Sequence, residues 1–217
     1  IVSACDYAGN AKNEVVYAFY VDHELPQGII DTISPLTTEI DEKIWISEKD
    51  EDGKGQDVVF RVYPSSEGSA VKSVKMIISG ENGEKSETFE ADKFIIDEST
   101  GKPYVELAIN TDEFKCIQED NTYNVKAEIC SVSGNKGEAE YTLYVDREAP
   151  EVNSFTVSQK NSEAENVMNV LPFGVFAKDS LVLNVEANDG INDSGIEKVV
   201  ISYTSPDGKA VADNMVY

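Results

Sequence analysis

Val58, Phe60 and Val62 are apolar, and the positions between them tolerate solvent. The same alternation runs through Val74-Met76-Ile78, Val125-Ala127-Ile129 and Tyr141-Leu143-Val145. Side chains of a strand point to opposite faces in turn, so each stretch predicts a half-buried β-strand. A 3.6-residue period is scarce. ADKFIIDES (91–99) and TDEFKCIQED (111–120) predict no more than a helical turn or two each. Turn chemistry separates the strands: Asn82-Gly83 and Asp207-Gly208 predict type I′ hairpins with two positive-φ positions, and Ser133-Gly134-Asn135 marks another turn. The pattern predicts an all-β antiparallel sandwich of about seven to nine strands.

The alternation is written more than once. YAFYVDHELP (17–26) returns as YTLYVDREAP (141–150). Cys5 and Gly9-Asn10 fall on Cys130 and Gly134-Asn135, and then Tyr17, Tyr20, Val21, Asp22 and Pro26 fall on Tyr141, Tyr144, Val145, Asp146 and Pro150. A second block, Val58 to Gly83, aligns with Leu183 to Gly208, placing Ser69 on Ser194 and Val71 on Ile196. Self-similarity at a long period marks domains strung as beads, since solenoid units are only about 20–50 residues long. The frame predicts the tail of one repeat in 1–26, a whole repeat in 27–150 and the opening of a third in 151–217.

Several stretches resemble the tandem bacterial immunoglobulin-like repeats of exported and Gram-positive cell-surface, adhesin-like proteins. They are CDYAGNAKNEVVYAFYVDHELP, LPFGVFAKDSLVLNVEANDG, DSGIEKVVISY and YTLYVDREAP. The resemblance implies tandem immunoglobulin-like sandwiches, an extracellular or cell-surface location, and a role as stalk or spacer, with loops that bind ligands in some members. The middle repeat departs from it at EIDEKIWISEKDEDGKGQD (39–57), where the third reads LPFGVFAKD. Tyr123, in DNTYNVKAEI (120–129), opens a penultimate strand after a polar corner. It reads either as the tyrosine corner of such sandwiches or as an ordinary edge tyrosine.

Charge narrows the partners. Among 217 residues, 41 acidic against 18 basic give a net charge of −23, which repels nucleic acid and anionic membrane surfaces. No apolar run approaches the roughly 20 residues of a membrane-spanning helix. The partners expected are neighbouring repeats of the same chain and a host or cell-wall glycan or protein. No cofactor is expected beyond calcium. His23 is the single histidine and reads as a junction surface residue; neither a phosphate loop nor a nucleophile elbow accompanies it. The chain therefore does not read as an enzyme. Cys5, Cys116 and Cys130 are odd in number, and two readings stand: buried or idle thiols, or a Cys116–Cys130 disulfide of an exported domain.

An alternative to the spacer is a carbohydrate- or protein-binding module, accessory to an extracellular enzyme. Its candidates are Trp45, Tyr63 and Tyr104, aromatics able to stack on sugars or anchor a partner. Trp45 in KIWIS reads equally as a core residue of an early strand. For calcium, Asp146 and Glu148 at the second junction stand near NDGINDSG (188–195), with Asn188, Asp189, Asn192 and Asp193 at alternating spacings. Such oxygens suit calcium, but the spacing is not that of an EF-hand and the motif is weak; a solvated turn, in which Asn and Asp cap backbone groups around Gly190 and Gly195, is the favoured explanation.

Overall fold

The computed structural model describes residues 5–10, 18–159, 181–190, 193–204 and 210–216. Two sheets built between residues 27 and 146 face one another. The first has four strands in the order β1 (Gln27–Ser34), β4 (Asp57–Ser65), β8 (Pro103–Asn110) and β7 (Ile95–Ile96). The second has six: β2 (Thr38–Ile40), β3 (Lys43–Ser47), β10 (Lys136–Asp146), β9 (Thr122–Ser131), β5 (Val71–Gly80) and β6 (Gly83–Glu90).

The alternation in the sequence decides which face goes inward. Val58, Phe60 and Val62 of β4, with Val105, Leu107 and Ile109 of β8, meet Val74, Met76 and Ile78 of β5 and Val125, Ala127 and Ile129 of β9 in one core. Phe60, Val74, Met76 and Ile78 are wholly buried. Each such side chain contributes about 1.5–3 kcal/mol of transfer free energy. This is a β-sandwich.

The sandwich is not wholly antiparallel, which corrects the sequence expectation. β10 pairs with β3 in parallel, Tyr144 opposite Trp45. A parallel pair needs a long crossover. Here the whole sandwich supplies it, because the chain leaves the first sheet after β1, lays down β2 and β3 on the edge of the second, and returns last as β10.

Local chemistry differs from expectation at two turns, while the segments expected to form at most a helical turn or two stay within that bound. The turn between β5 and β6 has a positive φ at Gly83 (115°) and not at Asn82, so it is not type I′. That turn type sits instead between β2 and β3, where Asp41 (φ 51°) and Glu42 (φ 63°) are both left-handed without a glycine. Within 91–99 there is one 3-10 turn, Ala91–Lys93, followed by strand β7, and 111–120 forms turns without a helix. Asp207-Gly208 lies outside the described residues.

Tyr123 is fully buried at the start of β9, and its hydroxyl donates to the Phe114 carbonyl at 2.7 Å. Beyond the sandwich, β11 (Glu151–Gln159) pairs with β12 (Leu181–Asn188), and β13 (Lys198–Thr204) with β14 (Ala210–Val216).

Candidate functional site

The segment that leads into the sandwich is held by a carboxylate. Asp22 Oδ1 accepts the Glu24 amide at 3.0 Å, closing an Asx turn. Its Oδ2 accepts the Ser69 amide at 2.9 Å and the Ser133 hydroxyl at 2.8 Å. Asn135 Nδ2 donates to the carbonyls of Asp22 and Glu24, both at 3.0 Å. Pro26 then lies so close to β10 that a Cβ on Gly137 would overlap its carbonyl. Two loops at one pole of the sandwich, 66–69 and 131–135, thus form a socket for the incoming chain. Hydrogen bonds from Ser69, then Ser133 and Glu24, hold the Asp22 carboxyl below the ordinary carboxylate range.

The same arrangement recurs where the sandwich ends. Asp146 Oδ1 accepts the Glu148 amide at 3.2 Å, and Oδ2 accepts the Ser194 amide at 3.3 Å and its hydroxyl. Asp22, Glu24 and Ser69 are the residues that the sequence repeat places on Asp146, Glu148 and Ser194. A third correspondence lies in the turns. Asp6–Asn10 and Ser131–Asn135 are closed alike: Asp6 N to Asn10 O at 3.0 Å and Gly9 N to Asp6 O at 3.1 Å, against Ser131 N to Asn135 O at 2.9 Å and Gly134 N to Ser131 O at 3.0 Å. Gly9 (φ 87°) and Gly134 (φ 91°) fill the same left-handed position.

Around the second junction the metal candidates Asp146 and Glu148 lie near the loop that carries Asp189 and Asp193. Burial, then the charges of Asp146, Asp189 and Glu148, push the Asp193 carboxyl above its ordinary range, opposed by the Arg147 backbone amide. Among the described residues no three His, Cys, Asp or Glu side chains are already gathered to hold a metal ion. Asn192 lies outside the described residues. Gly195 takes a positive φ of 87°, whereas Gly190 does not.

Tyr63 and Tyr104 also meet. Both project from the outer face of the four-stranded sheet with ring centroids 5.7 Å apart. Cross-strand register puts Ile29 opposite Tyr63 and Ile95 opposite Tyr104, which makes one row over four strands. Ile29 is 67% and Ile95 46% exposed. Arg61 stacks on Tyr104 at 3.8 Å, donates to the Tyr63 hydroxyl at 3.2 Å and pairs with Glu106.

Trp45 stands apart from that row. It is buried, with 6% exposed, yet it points away from the core that its neighbour Ile46 enters. Its ring packs on Tyr144 at 5.2 Å on the outer face of the six-stranded sheet, with Lys43 Nζ 5.8 Å from its centroid.

The disulfide reading is corrected: all three cysteines are free. Cys116 lies beside Ile117, which bridges to Thr122 at the start of β9, whereas Cys130 sits near the far end of that strand. Eight strand residues span roughly 26 Å, and a disulfide needs Cα atoms within about 7 Å. The buried Cys116 thiol accepts from Arg147 Nη2 at 2.8 Å, and burial pushes its pKa up. His23 is exposed.

No protein-family model matches this chain, and a search of curated proteins finds no significant match. Among the described residues no helix is long and apolar enough to cross a membrane.

Sequence reasoning passed over the socket residues Ser133 and Asn135, whose role depends on a hairpin turn meeting the linker. The signal was present, because Ser69 and Asp22 were both repeat matches. What was missing was their contact.

Proposed function

We propose that the chain is a stretch of tandem immunoglobulin-like repeats acting as a non-catalytic spacer in a long extracellular or cell-surface bacterial protein, where it presents other domains or contributes to adhesion. One observation carries this reading: the carboxylate that ends one unit is latched by the serine of the next, once at Asp22–Ser69 and again at Asp146–Ser194. A latch written twice serves a junction whose angle matters, and a stalk depends on that angle. Two features support the immunoglobulin-like assignment. The sheet orders β1-β4-β8-β7 and β10-β9-β5-β6 follow the A-B-E-D and G-F-C arrangement with an added C′ strand, and the Tyr123 hydroxyl ties back to backbone nine residues upstream as a tyrosine corner does.

Small-angle scattering on 27–150 joined in tandem to itself tests the spacer. β10, with 11 residues, is about 36 Å long, so two units in line have a radius of gyration near 23 Å, against about 18 Å for one compact body. The compact value would overturn the reading.

A second reading rests on the row Ile29-Tyr63-Tyr104-Ile95, whose exposed aliphatic ends and paired tyrosines suit a sugar or protein ligand. Glycan-array or pull-down binding that Tyr63→Ala and Tyr104→Ala abolish, with the sandwich intact, would support it. Binding that persists in both variants would remove it.

A further inference from the structure

The geometry points to a calcium site at the second junction, formed by the carboxylates of Asp146, Glu148, Asp189 and Asp193. Asp189 is the first reason. It is nine-tenths buried, its Oδ2 accepts the Gly195 amide at 2.7 Å, and its Oδ1 is buried with no hydrogen-bond partner. Buried polar atoms are paired as a rule, and a buried carboxylate oxygen left unpaired is strongly disfavoured unless a cation meets it.

Other carboxylate oxygens lie in the same loop region, although among the described residues no three are gathered within metal-binding reach of one another. A Cβ on Gly190, the next residue, would overlap Asp193 Oδ2 and stand 3.1 Å from Glu148 Oε2. Asp146 joins them through Ser194, the residue before the Gly195 that Asp189 holds. Of the nearby cations, only Arg147 keeps a buried donor without a partner among the described residues, its Nε, and the other groups of these side chains are engaged. Arg147 reaches Cys116 and Glu48, Lys49 pairs with Asp112, and Lys43 lies over Trp45 and Tyr144.

The first junction is an internal control. It has the same Asp–Ser latch, but Pro64 and Gly68 stand where the repeat offset places Asp189 and Asp193. The two extra carboxylates are therefore not needed for the latch. Calcium takes about six to eight oxygens at about 2.3–2.6 Å in flexible geometry, so loop carboxylates close on it and carbonyls and water complete the shell. Magnesium, which demands tighter octahedral geometry, is the poorer fit.

This inference rests on the junction geometry and not on the spacer role. Isothermal titration of calcium chloride into the chelator-stripped full chain, residues 1–217, tests it. The expected result is one site with Kd of about 10⁻⁴ to 10⁻³ M, as for extracellular modules. Asp193→Asn and Asp189→Asn should each weaken it at least about tenfold, while Asp97→Asn, a carboxylate elsewhere on the surface, should leave it unchanged. Circular dichroism checks that each variant is folded; Asp193, less buried than Asp189, keeps the test decisive if Asp189→Asn misfolds. No heat up to about 5 mM calcium, well above the expected Kd, would overturn the site, as would binding undiminished in Asp193→Asn. Either failure leaves the scattering result of the tandem repeat untouched.

Discussion

Replacing Tyr123 with Phe removes one oxygen from the middle of the sandwich and nothing else. The ring is fully buried and packs against Phe114 with centroids 6.1 Å apart, so the apolar contribution is unchanged. What is lost is the 2.7 Å bond to the part-buried Phe114 carbonyl, which stays behind without that partner. Leaving a buried partner unsatisfied costs about 1–3 kcal/mol. For a unit of this size about 2 kcal/mol lowers the midpoint by roughly 6–10 °C. Trp45 is the single tryptophan and lies in this sandwich, so its fluorescence reports the transition directly. The same phenol adds a pH signature. Burial raises its pKa, so the folded state keeps it neutral while the unfolded chain ionises near pH 10. Stability is therefore lost as pH rises above about 10, and Tyr123→Phe should make that loss shallower. A midpoint within about 1 °C of the parent, small against the shift expected from an unpaired buried carbonyl, would refute the argument.

Three other outcomes are expected. Gly137→Ala should push Pro26 off β10, because the obstacle is a backbone carbonyl, and so speed proteolytic cleavage within 22–26; an unchanged cleavage rate would speak against the docked linker. The Asp22 carboxyl, held low by Ser69, Ser133 and Glu24, should contribute stability above its unfolded pKa of about 3.9 that is lost as pH falls through the lower folded value. Asp22→Asn should flatten the midpoint against pH in that acid window, and an identical acid limb in both proteins would count against the latch. Thiol titration without reductant should find three reactive groups in denaturant, with Cys116 protected in the native state; a count of one would restore the disulfide.

The strands were legible because one face of each is buried, and burial imposes the period of two at 58–62, 74–78, 125–129 and 141–145. Tyr123 was legible by its place after a polar corner. The parallel pairing of β3 with β10 was not, because KIWIS is too short to carry a direction, and pairing partners lie far apart in sequence. The turn at Asp41-Glu42 was hidden for another reason: it adopts left-handed angles without the glycine that usually announces them. At the candidate sites, the sequence brought out Tyr63 and Tyr104 as residue types, while their meeting follows from the register of β4 against β8. Trp45 shows the limit most clearly. Its burial was foreseen as membership of the core, yet Tyr144 and Lys43 cover it on the opposite face.

Residual dipolar couplings measured on 27–150 joined in tandem to itself test most directly whether the latch fixes one unit against the next. In that protein Asp146 of the first unit faces Ser69 of the second, the pair that the repeat places on Asp22–Ser69 and Asp146–Ser194. The account predicts that both units fit a single alignment tensor, and that Ser69→Ala in the second unit splits it in two. Two unrelated tensors in the unmodified tandem would contradict a latched junction.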